Sequence, residues 1–324
     1  MSEIENLLNL KNIENIVDDI CNFIKNQIFT KLERKGCVVG LSGGIDSTIT
    51  STLSTKALGS ENVIGIIMPE KESDPESEIL AVEVAKKLNI HFEIIDITNI
   101  LEDYGVYEKK EKIVRMKFPQ FNDKCKYSIR TNSKFQTNIG IPFLEILDDK
   151  NNIHKFKISL SEFLEITAAT SIKHRVRMTI LYYFAEKNNF CVIGTTNKSE
   201  FLQGYFVKYG DGGSDLEPLV NLYKTQVYQI GKFLNISNSI LKKDPSPDVW
   251  SLDTNDEEFF YAIPYNIVDL ILYSIENNLD DKQIAIISNL SMEKISSLKK
   301  SYSQRFHKTK HMRQIPYSWI PNGD

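Results

Sequence analysis

Apolar residues recur at helical spacing from residue 4 to 33 (Ile4, Leu7, Leu8, Leu10, then Ile13, Ile16, Val17, Ile20, Cys21, Ile24, Ile28), which predicts one or two amphipathic helices. The period then changes. Residues 37–41 (CVVGL) form a short apolar run stopped by Ser-Gly-Gly-Ile-Asp-Ser, and a helical stretch follows over residues 47–58, so this region reads as strand, Gly-rich turn, helix. Residues 62–68 (NVIGIIM) repeat the strand signal, 77–88 the helix signal and 91–97 the strand signal again. A helix is expected over 159–187 and a further buried strand over 190–194. Strands alternating with helices of about a dozen residues imply right-handed crossovers and an α/β, doubly wound parallel sheet of Rossmann-like type.

Residues 104–157 break that rhythm. They are rich in Lys, Arg, Asn and aromatics and carry alternating segments at 143–147 and 154–158 around a DDKNN turn, which predicts an inserted β-rich subdomain or lid. Lys109, Lys110, Lys112, Arg115, Lys117, Lys124, Lys126 and Arg130 make this region basic, either as a clamp on an anionic substrate or as a solvated face. After Asp215 the chain is mostly helical, with amphipathic stretches at 223–234, 265–277, 280–288 and 292–301 and a loop punctuated by Asp and Pro over 242–258. The expected division is therefore 1–103, the insertion 104–157, and 158–324 with a helical C-terminal part.

Composition narrows the class. Apolar residues make up 41% and charged residues 25%, with 15 Gly and 10 Pro in 324 residues, which excludes disordered and fibrous chains. Thirty-nine basic against 43 acidic residues leave a formal charge of −4, so neither nucleic acid nor a membrane surface is an expected partner, and any phosphate ligand must be held locally. No run approaches the roughly 18 apolar residues of a spanning helix, and the N-terminus is acidic and amphipathic; a cytoplasmic location is expected. Cys21, Cys37, Cys125 and Cys191 are too scattered for a disulfide framework or a CxxC metal pair, and the five histidines show no zinc-ligand spacing.

The chemistry concentrates where a buried strand meets a helix. At Ser42-Gly43-Gly44-Ile45-Asp46-Ser47, backbone N–H groups and the helix dipole converge on an anion, and two glycines let the main chain approach a phosphate. Asp46 would repel a bare phosphate but suits one that carries a divalent cation. The Lys of a GxxxxGK[ST] loop is missing, which argues against γ-phosphoryl transfer. This loop resembles the pyrophosphate-binding loop of the N-type ATP pyrophosphatases, which cleave ATP to AMP and pyrophosphate. A second block, residues 194–200 (GTTNKSE), 204–215 (GYFVKYGDGGSD) and 218–224 (PLVNLYK), closely resembles the ammonia-dependent NAD synthetases.

That resemblance implies ATP as co-substrate and Mg²⁺ held by Asp46 and Glu200. It implies ATP contacts from Gly40, Ser42, Gly43, Gly44, Asp46, Ser47, Met68, Arg175, Thr195, Lys224 and Ser246. Ser171, Lys208, Asp211, Asp215, His311 and Arg313 would face the acid substrate, and Asp46, Lys208 and Lys224 would carry the catalysis. Residues 173–178 (KHRVRM) resemble the family's Lys-Ala-Arg-x-Arg-Met helix, which makes Arg177 a further candidate beside Arg175. Residues 243–248 (KDPSPD) resemble the loop that closes over ATP, and 311–316 (HMRQIP) a closing His-Lys-Arg-x-x-Pro element. Two departures stand out: Thr170-Ser171 where the family has Gly-Asn, and Met312 in place of Lys. The implied activity is amidation of a carboxylate, deamido-NAD foremost, by a homodimer that takes ammonia from solution or from a separate partner. Two alternatives stay open: the same adenylation on another acid, ending in amidation or thioamidation, and a non-catalytic nucleotide-binding protein.

Overall fold

The computed structural model describes residues 7–131, 142–256, 260–261 and 263–319. Its centre is a four-stranded parallel sheet in the order β3-β2-β1-β7, with β1 at Cys37–Gly40, β2 at Val63–Ile67, β3 at His91–Ile94 and β7 at Cys191–Val192. Cys37 of β1 pairs in register with Val63 on one side and Cys191 on the other. Strands this short and this apolar need cover on both faces. Cys37 and Val39 point into a core built with α1 (Ile13–Asn26), α2 (Ile45–Leu58) and α3 (Pro75–Leu88), through Val17, Ile24, Ile49, Leu53 and Leu80. Val38, Ile64 and Ile66 point the other way, against α4 (Thr98–Asp103), α5 (Val106–Lys117) and α6 (Leu160–Asn188), through Leu101, Val106, Ala169 and Phe184.

The expected strand at 190–194 is shorter than its apolar run: it pairs with β1 only through Cys191 and Val192, the Ile193 N–H still donating to the Val38 carbonyl at 3.0 Å, while on its other edge Ile193 bridges Leu216. The chain runs from β1 outward to β2 and β3 on one side and returns to β7 on the other, so the strand order reverses between β1 and β7. This is the topological switch point, where an open α/β sheet leaves a crevice.

The insertion departs from a purely β-rich segment. Its first third is α5, whose buried side chains Val106, Tyr107, Lys110, Ile113 and Val114 follow helical spacing. Lys110 stands at a core position of that stripe and hides it from a hydropathy reading. An antiparallel sheet follows, β4 (Lys126–Thr131), β5 (Pro142–Leu147) and β6 (Ile153–Lys157), with Ile129 opposite Leu144 and Leu144 opposite Phe156. Asp148 closes the turn between β5 and β6 by accepting from the backbone N–H of Lys150 (2.9 Å) and Asn152 (2.8 Å). Several basic residues of this region are committed internally: Lys110 to Glu72, Arg115 to the Phe121 carbonyl (2.7 Å), Lys117 to Glu162 (2.9 Å) and Arg130 to Glu145 (2.8 Å).

Beyond β7 the chain is helical: α7 (Lys198–Gln203), α8 (Lys224–Phe233), α9 (Asn238–Lys242), α10 (Tyr265–Glu276), α11 (Asp281–Ser288) and α12 (Met292–Lys308). The last helix runs seven residues past its expected end at 301. Val268, Ile271, Ile284, Ile295 and Tyr302 form the core of this part. Among the described residues no helix is long and apolar enough to cross a membrane.

Candidate functional site

A cleft of about 1590 Å³ opens at the carboxyl end of the sheet, over the gap between β1 and β7. Its floor is the loop from β1 into α2. Gly43 has φ +72°, and a Cβ there would lie 2.3 Å from the Ser77 carbonyl oxygen, so the turn admits only glycine. Ser42 and Ser47 hold the loop shut with hydroxyls 3.1 Å apart, and Ser47 and Thr48 both donate to the Gly44 carbonyl, at 3.1 and 2.8 Å. The first backbone N–H groups of α2 have no partner within the helix, and Ile45, Asp46 and Ser47, which carry them, line the cleft, as a helix N-terminus that receives an anion would.

Beside this turn sits a buried charged centre. The Lys224 ammonium, at the first residue of α8, contacts Asp46 and lies 3.7 Å from Glu200. Asn197 caps α7, exchanging bonds with Glu200, and its side-chain amide donates to Asp46 at 3.1 Å. Asp256 completes the group: its carboxylate accepts from the hydroxyls of Tyr205 and Tyr265, each at 2.8 Å, and its backbone N–H donates to the Pro245 carbonyl at 2.8 Å. Burial pushes the Glu200 carboxyl well above the usual range, and the negative charges of Asp46 and Asp256 push it further. Burial alone would lower Lys224, but Asp46, Glu200 and Asp256 outweigh it and hold the ammonium charged. Three carboxyl groups thus face one lysine, and their mutual repulsion adds to burial in raising Glu200.

Asp269 sets the position of Lys224 from below. Its buried carboxylate accepts from Ser199 Oγ (2.5 Å) and the Thr225 N–H (2.8 Å), and Ser199 Oγ in turn accepts from the Lys224 N–H (3.0 Å). Burial raises Asp269 to about 6. Glu217 braces the next turn by accepting from Thr196 N–H (3.0 Å) and Ser214 Oγ (2.8 Å), and burial raises it to about 7. Asn197, Asp256, Asp269 and Glu217 were not singled out from sequence. For Asn197 the signal was present, as a capping box Asn-Lys-Ser-Glu.

Of the residues nominated from sequence, the cleft is lined by Gly40, Ser42, Gly44, Asp46, Ser47, Met68, Ser171, Arg175, Arg177, Thr195, Glu200, Lys208, Asp211, Lys224, Ser246 and His311. Arg177 Nε donates to the Met68 carbonyl at 3.3 Å. Lys208 Nζ donates to the carbonyls of His311 (2.8 Å) and Gln314 (3.3 Å), so it ties the C-terminal segment to the cleft rim. Asp211 accepts from the Val207 N–H at 2.8 Å and lies 3.4 Å from His174 Nδ1. Ser171 turns its hydroxyl back onto the Thr167 carbonyl at 2.9 Å. Ser246 lies on a loop stitched to the start of α3: Lys243 reaches Asp74 (2.9 Å) and Ser77 (3.1 Å), and the Asp74 N–H donates to Asp248 (2.7 Å).

Gly43, Asp215 and Arg313 are not brought to the cleft lining. Gly43 shapes the turn from beneath. Asp215 accepts from the Val192 N–H at 2.7 Å and from the Tyr182 hydroxyl at 3.2 Å, which fixes the end of β7. Arg313 donates to the Phe201 carbonyl at 2.9 Å and to the Phe306 carbonyl, closing the end of α12.

The sequence model of the NAD synthase family matches residues 16–122 and 106–316. The chain belongs to this family. It is 33% identical over 309 residues to the NH(3)-dependent NAD(+) synthetase of Mesorhizobium japonicum, covering 95% of this chain and 97% of that protein. It is 35% identical over 302 residues to the enzyme of the same name from Thermotoga maritima, covering 93% and 98%. Among solved structures it resembles the NMN synthetase of Francisella tularensis (TM-score 0.66, 23% identity, 97% of this chain and 100% of that one). The NH3-dependent NAD synthetase of Campylobacter jejuni is similarly close (TM-score 0.63, 23% identity, 96% and 100%). These two likenesses establish that the fold is that of NAD synthases, a Rossmann-like α/β sheet with a helical C-terminal part.

Proposed function

We propose that the protein is an ATP-dependent amide ligase that converts deamido-NAD to NAD with ammonia. The observation that carries this reading is the excess of carboxylate over lysine beside an open helix N-terminus, in a chain of the NAD synthase family. A carboxylate oxygen of the acid attacks the α-phosphorus of ATP, the bond from that phosphorus to the bridging α–β oxygen breaks, and pyrophosphate leaves. Ammonia then adds to the acyl carbon, AMP departs and one proton is released.

Both attacking and attacked groups are anionic, so the barrier is electrostatic. In this reading the N–H groups at the start of α2 and the hydroxyls of Ser42 and Ser47 hold the triphosphate. Lys224 places its charge beside it, while Lys208 and His311 face the acid. Two carboxylates, Asp46 and Glu200, suit Mg²⁺ carried on phosphates, which keeps most of its oxygen ligands from substrate and water; it would neutralise charge on the departing pyrophosphate. Among the described residues no group of three or more His, Cys, Asp or Glu is arranged to hold a resident metal. A second copy of the chain would cover the exposed Leu160, Leu164 and Tyr183 of α6, giving a homodimer, and we place the enzyme in the cytoplasm with its nucleotide substrates.

One observation favours a second reading in which the acid differs: Ser171, where the resemblance expects Asn, spends its hydroxyl on its own helix. The test is incubation with ATP, Mg²⁺, ammonium and either deamido-NAD or its mononucleotide counterpart, followed by mass spectrometry. AMP, pyrophosphate and NAD in equal amounts are expected. ADP as the product would overturn the mechanism, and turnover only on the mononucleotide would select the second reading.

A further inference from the structure

A second cluster of buried charge lies outside the catalytic group, and nothing in the amidation chemistry calls for it. Lys173 of α6 and Lys110 of α5 are both fully buried. Lys173 Nζ donates to Glu70 Oε1 (2.6 Å) and Glu72 Oε2 (2.5 Å), and Lys110 Nζ donates to Glu72 Oε2 (2.6 Å). The hydroxyls of Tyr107 and Tyr127 add bonds to Glu70 (2.6 Å) and Glu72 (3.0 Å). Both lysines then converge on one main-chain atom, the Val249 carbonyl oxygen, at 3.0 Å from Lys173 and 3.3 Å from Lys110. The Lys110 ammonium also sits 4.6 Å from the Trp250 ring centre.

Two Glu against two Lys leave no net charge to attract a ligand. Stability alone does not explain the group, since burying ions costs about as much as their attraction returns, and apolar side chains would fill the space as well. A single carbonyl needs one donor, and a neutral one suffices. What the cluster does achieve is geometric. Glu70 follows Met68 on the loop after β2, Lys173 shares α6 with Ser171, Arg175 and Arg177, and Val249 ends the loop that carries Ser246; all three segments line the cleft. Lys110, Tyr107 and Tyr127 bring the insertion up behind them.

We propose that Lys110 and Lys173 are positioning residues: through Val249 they fix the 243–250 loop against the nucleotide end of the cleft, and the insertion is the buttress that holds them there. This rests on the reading above that the loop borders bound ATP.

The test uses Trp250 as reporter. The chain has two tryptophans, and Trp319 is exposed in the C-terminal segment, so a Trp319→Phe parent leaves Trp250 alone. In that parent, Lys110→Met combined with Glu72→Gln removes one charge of each sign. The expected result is a folded protein whose ligand-free Trp250 emission is red-shifted, whose half-saturating ATP concentration rises about tenfold, and whose kcat stays within about twofold. Parental emission and parental ATP affinity in the folded double variant would overturn the proposal. Should that variant fail to fold, Tyr127→Phe decides: a rise of about two- to threefold in half-saturating ATP at constant kcat supports the tether, and no rise overturns it. ATP affinity is read by direct titration of the emission. A parent that binds ATP but forms no NAD would therefore overturn the amidation reading and leave the tether standing.

Discussion

Two clusters of buried charge border one cleft, and they differ in the balance of carboxyl groups to lysines, three to one against two to two. Asp46, Glu200 and Asp256 share Lys224, whereas Glu70 and Glu72 have Lys110 and Lys173. The consequence is visible in the acids themselves. Burial pushes Glu72 up, yet the two ammonium groups outweigh burial and hold it at about 2. Glu200 ends on the other side of the usual range, because burial raises it and the charges of Asp46 and Asp256 add to that more than Lys224 takes away. A balanced cluster is complete when the chain folds; the unbalanced one, in the function proposed above, is completed by the metal nucleotide. The first therefore behaves as a joint and the second as a site.

The sharpest way to break this contrast is to remove one carboxylate from each. Asp46→Asn or Glu200→Gln is expected to lower AMP formation at least about a hundredfold, since each deletes a carboxylate that the proposed function gives to the metal-bound triphosphate. Neither should lower the melting temperature of the ligand-free protein, because repulsion among three acids is relieved. Glu72→Gln should do the reverse: it leaves two buried lysines to one glutamate, costs about 3 kcal/mol, and lowers the melting temperature by about 5 °C or more. Calorimetry of the three ligand-free variants checks the signs. Destabilisation of the same size in all three would show that the lysine count is not what separates the clusters.

Proton linkage offers the next distinction. Glu72 sits at about 2 in the fold against 4.5 for its ordinary value, so it contributes stability above pH 4.5 that is lost as pH falls from 4.5 to 2, about 3 kcal/mol in all. Glu200 is shifted upward, so the folded state holds its proton longer, and stability falls as pH rises from the ordinary carboxylate value towards the raised one. Mg²⁺ with ATP should flatten the second slope and leave the first untouched. Urea unfolding across pH, with and without the metal nucleotide, reads both; a ligand-induced change confined to the acid limb would reverse the assignment of site and joint.

How much of this was legible beforehand follows the same physics. The strand, turn and helix over 37–58 could be read because an unbroken apolar run ends in two glycines, and only the backbone was needed. Asp46, Glu200 and Lys224 came from family resemblance, since a charged residue looks the same in sequence whether solvated or buried. Asp256 and Asp269 went unread because their partners Tyr205 and Ser199 lie 51 and 70 positions away. Helix α5 reads as part of a β-rich segment because Lys110 interrupts its apolar stripe, and the lysine is tolerated there through Glu72, which no local pattern reveals. Asp215 and Arg313 show the converse: charges that suggested ligand contact are spent on main-chain groups.

Glu217 supplies the finest test, because it is a half-buried carboxylate with no lysine partner among the described residues. Its donors among the described residues, the Thr196 N–H, Thr196 hydroxyl and Ser214 hydroxyl, are neutral, and burial raises it to about 7. If cations and not hydrogen bonds decide whether a buried acid is at rest, then Glu217 is strained above neutral pH and relaxed below it. Its folded value lies above its ordinary 4.5, so stability should fall as pH rises from 4.5 through 7. Glu217→Gln imitates the protonated form and can keep the bond from Thr196 N–H by turning its carbonyl oxygen towards it. The variant should match the parent near pH 5 and exceed it by about 2 kcal/mol at pH 8, read by denaturant titrations at both pH values. Lower stability of the variant at pH 8 would mean that neutral donors suffice for a buried carboxylate here, and the excess charge around Lys224 would then no longer argue by itself for an incoming cation.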